Sequence, residues 1–160
     1  MTSRKVLITG SFAVGKTSLF HRFVYNTFSE QYLTTIGVKV DKRVVEVNGE
    51  PLSLILWDIA GEVSQKKVPK TYFLGASAVI YVFDLSRKQT ADNLKSDLKL
   101  IQKLLPGCLI KVVGNKKDLV SEEELMILER TYNPDFLTSA KTGENVETLF
   151  MEIASELVSY

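Results

Sequence analysis

Residues 10–17 of this 160-residue chain read Gly-Ser-Phe-Ala-Val-Gly-Lys-Thr. Two glycines five positions apart, followed by lysine and threonine, form the pattern of a phosphate-binding loop. The loop comes after residues 5–9, a short apolar run typical of a buried strand, and before apolar residues at helical spacing. Glycines in such a loop let backbone N–H groups surround phosphate oxygens, and the N-terminus of the following helix favours the same negative charge. The stretch therefore predicts a nucleotide phosphate site between a strand and a helix.

Two side chains of this loop have a specific predicted role. Lys16 supplies positive charge to the β and γ phosphates, and the Thr17 hydroxyl is a ligand for Mg²⁺. The loop alone does not distinguish ATP from GTP. The nucleotide-binding residues predicted in this part of the chain are Ala13, Val14, Gly15, Lys16, Thr17 and Ser18.

A second motif follows the predicted strand that ends at Trp57. Asp58 places a carboxylate at the strand end, where it faces the metal side of the loop directly or through a water. Gly61 has no side chain, so its backbone N–H can approach the terminal phosphate. Aspartate and glycine also favour ordinary turns, and this interpretation therefore depends on the phosphate loop.

Residues 115–118 and 138–141 indicate which base is bound. They read Asn-Lys-Lys-Asp and Thr-Ser-Ala-Lys, each at the end of a predicted strand. The Asp118 carboxylate can accept the N1 and N2 hydrogens of guanine, whereas adenine lacks both donors and would leave a buried charge unpaired. The stem of Lys116 can lie over a flat base, and the Ala140 N–H can donate to the guanine O6. The predicted guanine end comprises Asn115, Lys116, Asp118, Ser139, Ala140 and Lys141.

The composition is that of a soluble globular protein, with 45% hydrophobic and 24% charged residues. Lys plus Arg number 20 against 19 for Asp plus Glu, so no basic excess indicates a nucleic-acid partner. Cys108 is the only cysteine, which excludes an intramolecular disulfide and favours a small core residue in a reducing compartment. No apolar run approaches the roughly 20 residues of a membrane span, and no direct membrane anchor is visible. We expect a cytoplasmic protein.

Alternating strand and helix patterns predict an α/β fold over one domain, residues 1–160. The prediction is a six-stranded, mostly parallel sheet with helices on both faces. Asn48 and Gly49 are a strong hairpin signal and predict one antiparallel pair at the edge. The inward phase of the preceding run shifts between Val40 and Val45, which predicts a bulge or a bend there.

With these motifs in order, the chain resembles the Ras-like small GTPases, which have a P-loop NTPase fold, and most closely their Rab-like branch. The motifs that look Rab-like are residues 34–38, 57–61 and 72–76. The resemblance covers essentially the whole chain. It implies a GTP/GDP-binding G domain that uses Mg²⁺ and hydrolyses GTP.

The resemblance also implies roles for residues outside the phosphate loop. Thr35 would be the second Mg²⁺ hydroxyl and would hold the γ-phosphate, and Phe28 would pack edge-on against the guanine. Residues 28–38 and 60–72 would be the two switches, which loosen when the γ-phosphate is lost. Effector proteins would bind through these switches, with an exchange factor as a possible further partner. The predicted catalytic residues are Lys16, Thr35, Gly61 and Glu62, and the predicted metal ligands are Thr17, Thr35 and Asp58.

Two residues depart from the family pattern. Glu62 replaces the usual glutamine, which in Ras orients the attacking water. Phe12 replaces a small residue, often glycine, and its ring should crowd the γ-phosphate and a partner's arginine finger. The hypothesis is intact GTP binding with slow hydrolysis.

Three alternatives remain open at this point. The protein is a slow switch, or a GTP-binding scaffold with little or no hydrolysis, or a G domain excised from a larger protein. The C-terminal residues 157–160 include no cysteine for a lipid, which favours a protein recruited by partners. A P-loop kinase or ATPase is disfavoured because residues 115–118 would then have no purpose.

Overall fold

Six strands form one sheet within the part of the chain that this computed structural model describes, residues 1–31 and 35–159. Residues 32–34 of the expected first switch and Tyr160 lie outside the described residues. The strands are β1 (Thr2–Gly10), β2 (Val38–Val47), β3 (Glu50–Ile59), β4 (Ala76–Asp84), β5 (Leu109–Asn115) and β6 (Phe136–Leu137). Their spatial order is β2-β3-β1-β4-β5-β6.

The pairing confirms the predicted sheet. β3, β1, β4, β5 and β6 pair in parallel, and only β2 runs antiparallel, to β3, at the edge. Both turn residues, Asn48 and Gly49, have positive φ angles of 53° and 82°. Such angles suit the tight hairpin turns that match the right-handed twist of strands.

The predicted bulge in β2 is wrong. The register runs without interruption from Val38 opposite Ile59 to Val47 opposite Glu50. Val45 is buried and Val40 is about half exposed because residues of opposite parity point to opposite faces of a strand. The valine pattern therefore reflects an edge strand with apolar residues on both faces.

Helices cover both faces of the sheet, as predicted. The helices are α1 (Lys16–Tyr25), α2 (Leu94–Leu104), α3 (Glu122–Tyr132) and α4 (Val146–Val158), with 3₁₀ segments at Gln65–Lys67, Lys70–Phe73, Lys88–Ala91 and Lys117–Leu119. Neighbouring side chains of β1 point to opposite faces of the sheet. Val6 and Ile8 pack with residues of α1 and α4, and Leu7 packs with residues of α2 and α3. None of the described helices is long and apolar enough to cross a membrane.

The parallel order brings several loops to one edge of the sheet. The carboxyl ends of parallel strands share an edge, and ligands of α/β proteins bind there. β1 ends at the phosphate loop between its neighbours β3 and β4, and β5 leads to residues 115–118. The topology therefore collects all the sequence motifs in one place.

Candidate functional site

A cavity of about 380 Å³ lies at this edge. Most of the predicted site residues line it, namely Ala13, Gly15, Lys16, Thr17, Ser18, Phe28, Thr35, Gly61, Asn115, Lys116, Asp118, Ala140 and Lys141. Four predicted residues do not. Val14 is buried in the core, Asp58 and Ser139 are buried behind the cavity wall, and Glu62 is half-buried beside it.

The two glycines of the phosphate loop are required by their surroundings. Gly10 has a φ of +145°, and an added Cβ would lie 2.2 Å from the Val82 carbonyl oxygen. Gly15 has a φ of +98°, and its Cβ would lie 2.2 Å from Asn115 Nδ2. Side chains are therefore excluded by contacts as well as by backbone conformation. Gly15 in particular lets the base end of the site touch the phosphate end.

The loop between these glycines is held by its carbonyl groups. Four successive carbonyls each accept a hydrogen bond from a side chain, and the N–H groups of residues 12–15 find no acceptor within the described part of the chain. Unpaired N–H groups in such a loop form an anion-binding concavity. The carbonyls are those of residues 11–14, and their donors, in that order, are Lys16 Nζ (2.6 Å), Arg87 Nη2 (2.8 Å), Lys116 Nζ (2.8 Å) and Asn115 Nδ2 (3.0 Å).

Lys16 is a buried cation, with only 5% of its surface exposed. Burial away from water lowers its pKa to about 8, although the charge of Asp58 opposes the shift; Arg87 adds to it. Because burial disfavours the charged form, an anion placed beside this ammonium group would be strongly stabilised.

Three oxygen-bearing side chains meet beside Lys16. Thr17 Oγ1 lies 2.6 Å from Thr35 Oγ1 and donates to Asp58 Oδ2 at 2.6 Å, while Thr35 Oγ1 lies 3.4 Å from the same carboxylate. Asp58 is fully buried, and its Oδ1 has no hydrogen-bond partner among the described residues. Burial raises the pKa of Asp58, and the bond from Thr17 opposes that shift. Hard oxygen ligands around an incompletely satisfied carboxylate fit Mg²⁺.

The opposite end of the cavity is organised around Asp118 and Asn115. Asp118 Oδ1 accepts from Ser139 Oγ at 2.7 Å. Asn115 Oδ1 accepts from Thr138 Oγ1 at 2.9 Å and from the Ala140 N–H at 3.3 Å. The Ala140 N–H, which we expect to contact the base, is thus also in reach of Asn115. Phe28 is half-buried against the core cluster on the α1 and α4 side.

The two atypical residues are placed differently. Phe12 is 49% exposed and lines the cavity. Gly61 packs against its backbone, since an added Cβ there would lie 2.7 Å from Phe12 Cα. The Glu62 N–H donates to the Gly10 carbonyl at 3.3 Å, but its side chain does not line the cavity. Phe12 is therefore the residue whose side chain occupies the phosphate rim.

Sequence reasoning missed three residues that hold the site. Arg22 donates from Nε to the Ala140 carbonyl (2.8 Å) and from Nη2 to the Lys141 carbonyl (2.6 Å). Arg87 and Lys116 both contact the carboxylate of Asp84, which is 1% exposed. Asp84 is the last residue of the buried strand β4, and Asp58 lies one residue before the end of β3. An aspartate at the end of an apolar run is therefore a sequence signal that could have identified Asp84. No local pattern marks Arg22 or Arg87.

A buried polar network ties the predicted second switch to α2. Gln65 is 1% exposed, and its Oε1 accepts from Thr9 Oγ1 at 2.6 Å. Its N–H donates to Asp97 Oδ1 at 3.0 Å, and Asp97 Oδ2 accepts from the Tyr81 hydroxyl at 2.6 Å. Gln65, four residues after Gly61, therefore fixes this segment to β1 through Thr9 and to α2 through Asp97.

Replacing Asp97 with alanine is expected to lower the free energy of unfolding by about 2–4 kcal/mol, because two buried donors lose their acceptor. Tyr81→Phe should cost about 1 kcal/mol, since it removes one donor and leaves the other bond intact. Urea denaturation at a fixed nucleotide concentration measures both, and the exposed Asp92→Ala serves as the control. An Asp97→Ala protein as stable as the control would contradict the network's contribution.

Comparison with known proteins gives a consistent match. The model of the Ras family matches residues 5–159. Ras-related protein Rab-36 from Homo sapiens is 38% identical over 94% of this chain, which spans 60% of that protein's length. Ras-related protein Rab-4B from Rattus norvegicus is 36% identical over 97% of this chain, and the match covers 76% of that protein's length. Ras-related protein Rab-1A from Dictyostelium discoideum is 35% identical over 96% of this chain, and the match covers 79% of that protein's length.

Proposed function

The chain belongs to the Ras family, and on that premise we propose that it is a guanine-nucleotide switch that hydrolyses GTP slowly. Residues 1–160 form one G domain in this proposal. The observation that carries it is the cavity itself, which has the Asp118 carboxylate at one end. Its other end has a buried cation and N–H groups that find no acceptor among the described residues. Phosphates and a guanine base have the complementary charges and donors.

At the base end, Asp118 accepts the N1 and N2 hydrogens of guanine through the carboxylate that Ser139 orients. The Lys116 stem lies over the base, and its ammonium group stays on the Ala13 carbonyl. Ala140 donates to O6, and Phe28 packs against the edge of the base. Arg22 holds the loop of residues 140–141 in place.

At the phosphate end, Lys16 and the N–H groups of the loop bind the phosphate oxygens. Thr17, Thr35 and Asp58 would hold Mg²⁺, with Asp58 contributing directly or through a water. When bound, Mg²⁺ neutralises charge that develops on the phosphates. Thr17 and Asp58 come from rigid elements, whereas Thr35 belongs to the first switch.

The switch depends on contacts that only a γ-phosphate can make. Thr35 and Gly61 face the terminal phosphate from opposite segments, and the Ala60 N–H joins these segments by donating to the Gly37 carbonyl at 2.9 Å. Losing the γ-phosphate removes the partners of Thr35 and Gly61, so the contact between the segments should weaken. An effector that binds only the joined form reads the nucleotide state, and an exchange factor resets it.

Single-turnover hydrolysis tests the proposal. The purified protein is loaded with GTP and Mg²⁺, and the bound nucleotide is identified by chromatography over time. GDP that appears over minutes to hours supports a slow switch. GTP that stays intact for a day favours the scaffold alternative, for which Phe12 and Glu62 are the motivating residues. A preference for ATP over GTP would overturn the assignment.

Hydrolysis is expected to rise when both atypical residues are restored. The double variant Phe12→Gly/Glu62→Gln should hydrolyse bound GTP at least about tenfold faster, because an amide can orient the attacking water and the rim becomes open. The same single-turnover assay measures the rate, and each single variant serves as a control. An unchanged rate in the double variant would show that neither position limits the reaction.

A further inference from the structure

Arg87 lies outside every nucleotide-binding motif of the sequence, yet it is one of the four side chains that hold the phosphate-loop carbonyls. We propose that Arg87 is a positioning residue that holds the phosphate loop in its binding conformation and thereby slows nucleotide release. The proposal rests on the proposed nucleotide-binding function. It assigns to Arg87 no contact with the nucleotide.

The guanidinium group bridges two parts of the site. Its Nε donates to Asp84 Oδ2 at 3.0 Å, and its Nη2 donates to the Phe12 carbonyl at 2.8 Å. Lys116 makes the parallel arrangement, with its Nζ 3.0 Å from the same Asp84 oxygen and 2.8 Å from the Ala13 carbonyl. One buried carboxylate therefore orients two cations, and each cation holds one of two successive carbonyls.

Asp84 is itself rigidly placed. It pairs with Asn115 at the ends of the parallel strands β4 and β5. Its Oδ1 accepts from the N–H and the hydroxyl of Ser86 at 2.8 and 2.6 Å. The Arg87 N–H donates to the Asp84 carbonyl at 3.0 Å, so both ends of the ion pair belong to one tight turn. Supporting contacts of this kind keep a binding group within a narrow range of geometry.

The planar peptide bond between Phe12 and Ala13 links the Arg87 contact to phosphate binding. The bond between Phe12 and Ala13 is trans and planar, so its C=O and N–H point in opposite directions. Arg87 is not among the residues that line the cavity, whereas Ala13 is, so a Phe12 carbonyl bonded to Arg87 faces away from the cavity and the opposite Ala13 N–H faces towards it. Ala13 has a positive φ of 57°, a conformation that a non-glycine residue adopts only at some cost. The hydrogen bond from Arg87 to the Phe12 carbonyl offsets the conformational cost of the positive φ at Ala13.

The dissociation rates of GDP and GTP test the proposal in the full chain with Mg²⁺, using fluorescently labelled nucleotides and an excess of unlabelled competitor. Arg87→Ala should release both nucleotides about tenfold faster, which corresponds to the loss of one charge-assisted hydrogen bond. Arg87→Lys should give an intermediate rate, because one ammonium nitrogen cannot occupy the separate positions of Arg87 Nε and Nη2 and is expected to keep one of the two contacts. Lys88→Ala removes the same charge from the next, exposed position and should leave both rates unchanged.

Single-turnover hydrolysis of bound GTP is the second readout, and its rate should change by less than about threefold in Arg87→Ala. A tenfold slower hydrolysis with unchanged release would overturn the proposal and make Arg87 a catalytic cation. Release rates equal to wild type in both Arg87 variants would overturn it as well. Should Arg87→Ala fail to fold, Arg87→Lys decides alone. A wild-type protein that binds no guanine nucleotide would instead refute the proposed function, and this inference with it.

Discussion

Replacing Asp118 with asparagine is expected to lower the affinity for GTP by about 10²- to 10⁴-fold, because the site loses the acceptor for the guanine N1 and N2 hydrogens. The amide nitrogen would also point a donor at a donor. Ser139 holds Asp118 Oδ1 at 2.7 Å, so the new side chain is not free to turn away from the base without losing that contact.

Xanthosine triphosphate provides the decisive comparison for this variant. Xanthine carries a carbonyl at C2 where guanine carries an amino group, so an asparagine amide can donate to it. The ratio of the GTP and xanthosine triphosphate dissociation constants should therefore invert between wild type and Asp118→Asn. Asp92→Asn, a matched change at an exposed position, should leave the ratio as in wild type. If the ratio of the two dissociation constants is the same in wild type and Asp118→Asn, Asp118 does not recognise the base.

Replacing Lys16 with alanine is expected to weaken the binding of GDP and GTP by about 10²- to 10³-fold, since a buried cation facing phosphate is lost. Lys16 is 5% exposed and its Nζ contacts only the Ser11 carbonyl at 2.6 Å in the hydrogen bonds of the described residues. Equilibrium titration measures the affinities, with the exposed Lys95→Ala as the control. A loss of affinity smaller than tenfold, which corresponds to about 1.4 kcal/mol, would contradict the role proposed for Lys16.

The pH dependence of binding gives an independent check on Lys16. Its pKa is about 8 in the protein without nucleotide, and a neighbouring phosphate should raise it because an opposite charge favours the ammonium form. Above pH 8 the complex therefore holds one more proton than the free protein, and affinity should fall by up to about tenfold per pH unit. Lys16→Ala should lack the part of the pH dependence that comes from Lys16. The pH dependence that remains in this variant includes the titration of guanine and can be subtracted from that of the wild type.

The fold was largely predictable from local sequence patterns. Strand runs, helical stripes and the Asn48-Gly49 turn each depend on a few neighbouring residues, and the structure has the corresponding elements. The bulge prediction failed because Val40 and Val45 were both assigned to one inward face, whereas the edge strand β2 has apolar residues on both faces. An edge strand tolerates apolar residues on both faces, and periodicity alone does not show this.

The candidate site was predictable to the extent that its residues belong to motifs. Phosphate-binding loops and base-recognition loops have fixed spacing because they wrap around a ligand of fixed size. Arg22, Arg87 and Asp84 were not predicted because they contact the loops and do not line the cavity. Arg87 reaches Phe12 across 75 positions of the chain, and no local spacing encodes such a contact.

The sequence by itself determined the succession of strands and helices along the chain, the spacing of the glycines in the phosphate loop, and the chemical types of side chain in each motif. These properties follow from backbone sterics and from side-chain chemistry, which act over a few residues. Only the tertiary structure decided which side chains hold the loop carbonyls, that Asp58 is buried with one oxygen unsatisfied among the described residues, and that Gln65 is anchored to α2. Those properties depend on strand order and register, which place residues distant in sequence within hydrogen-bonding distance.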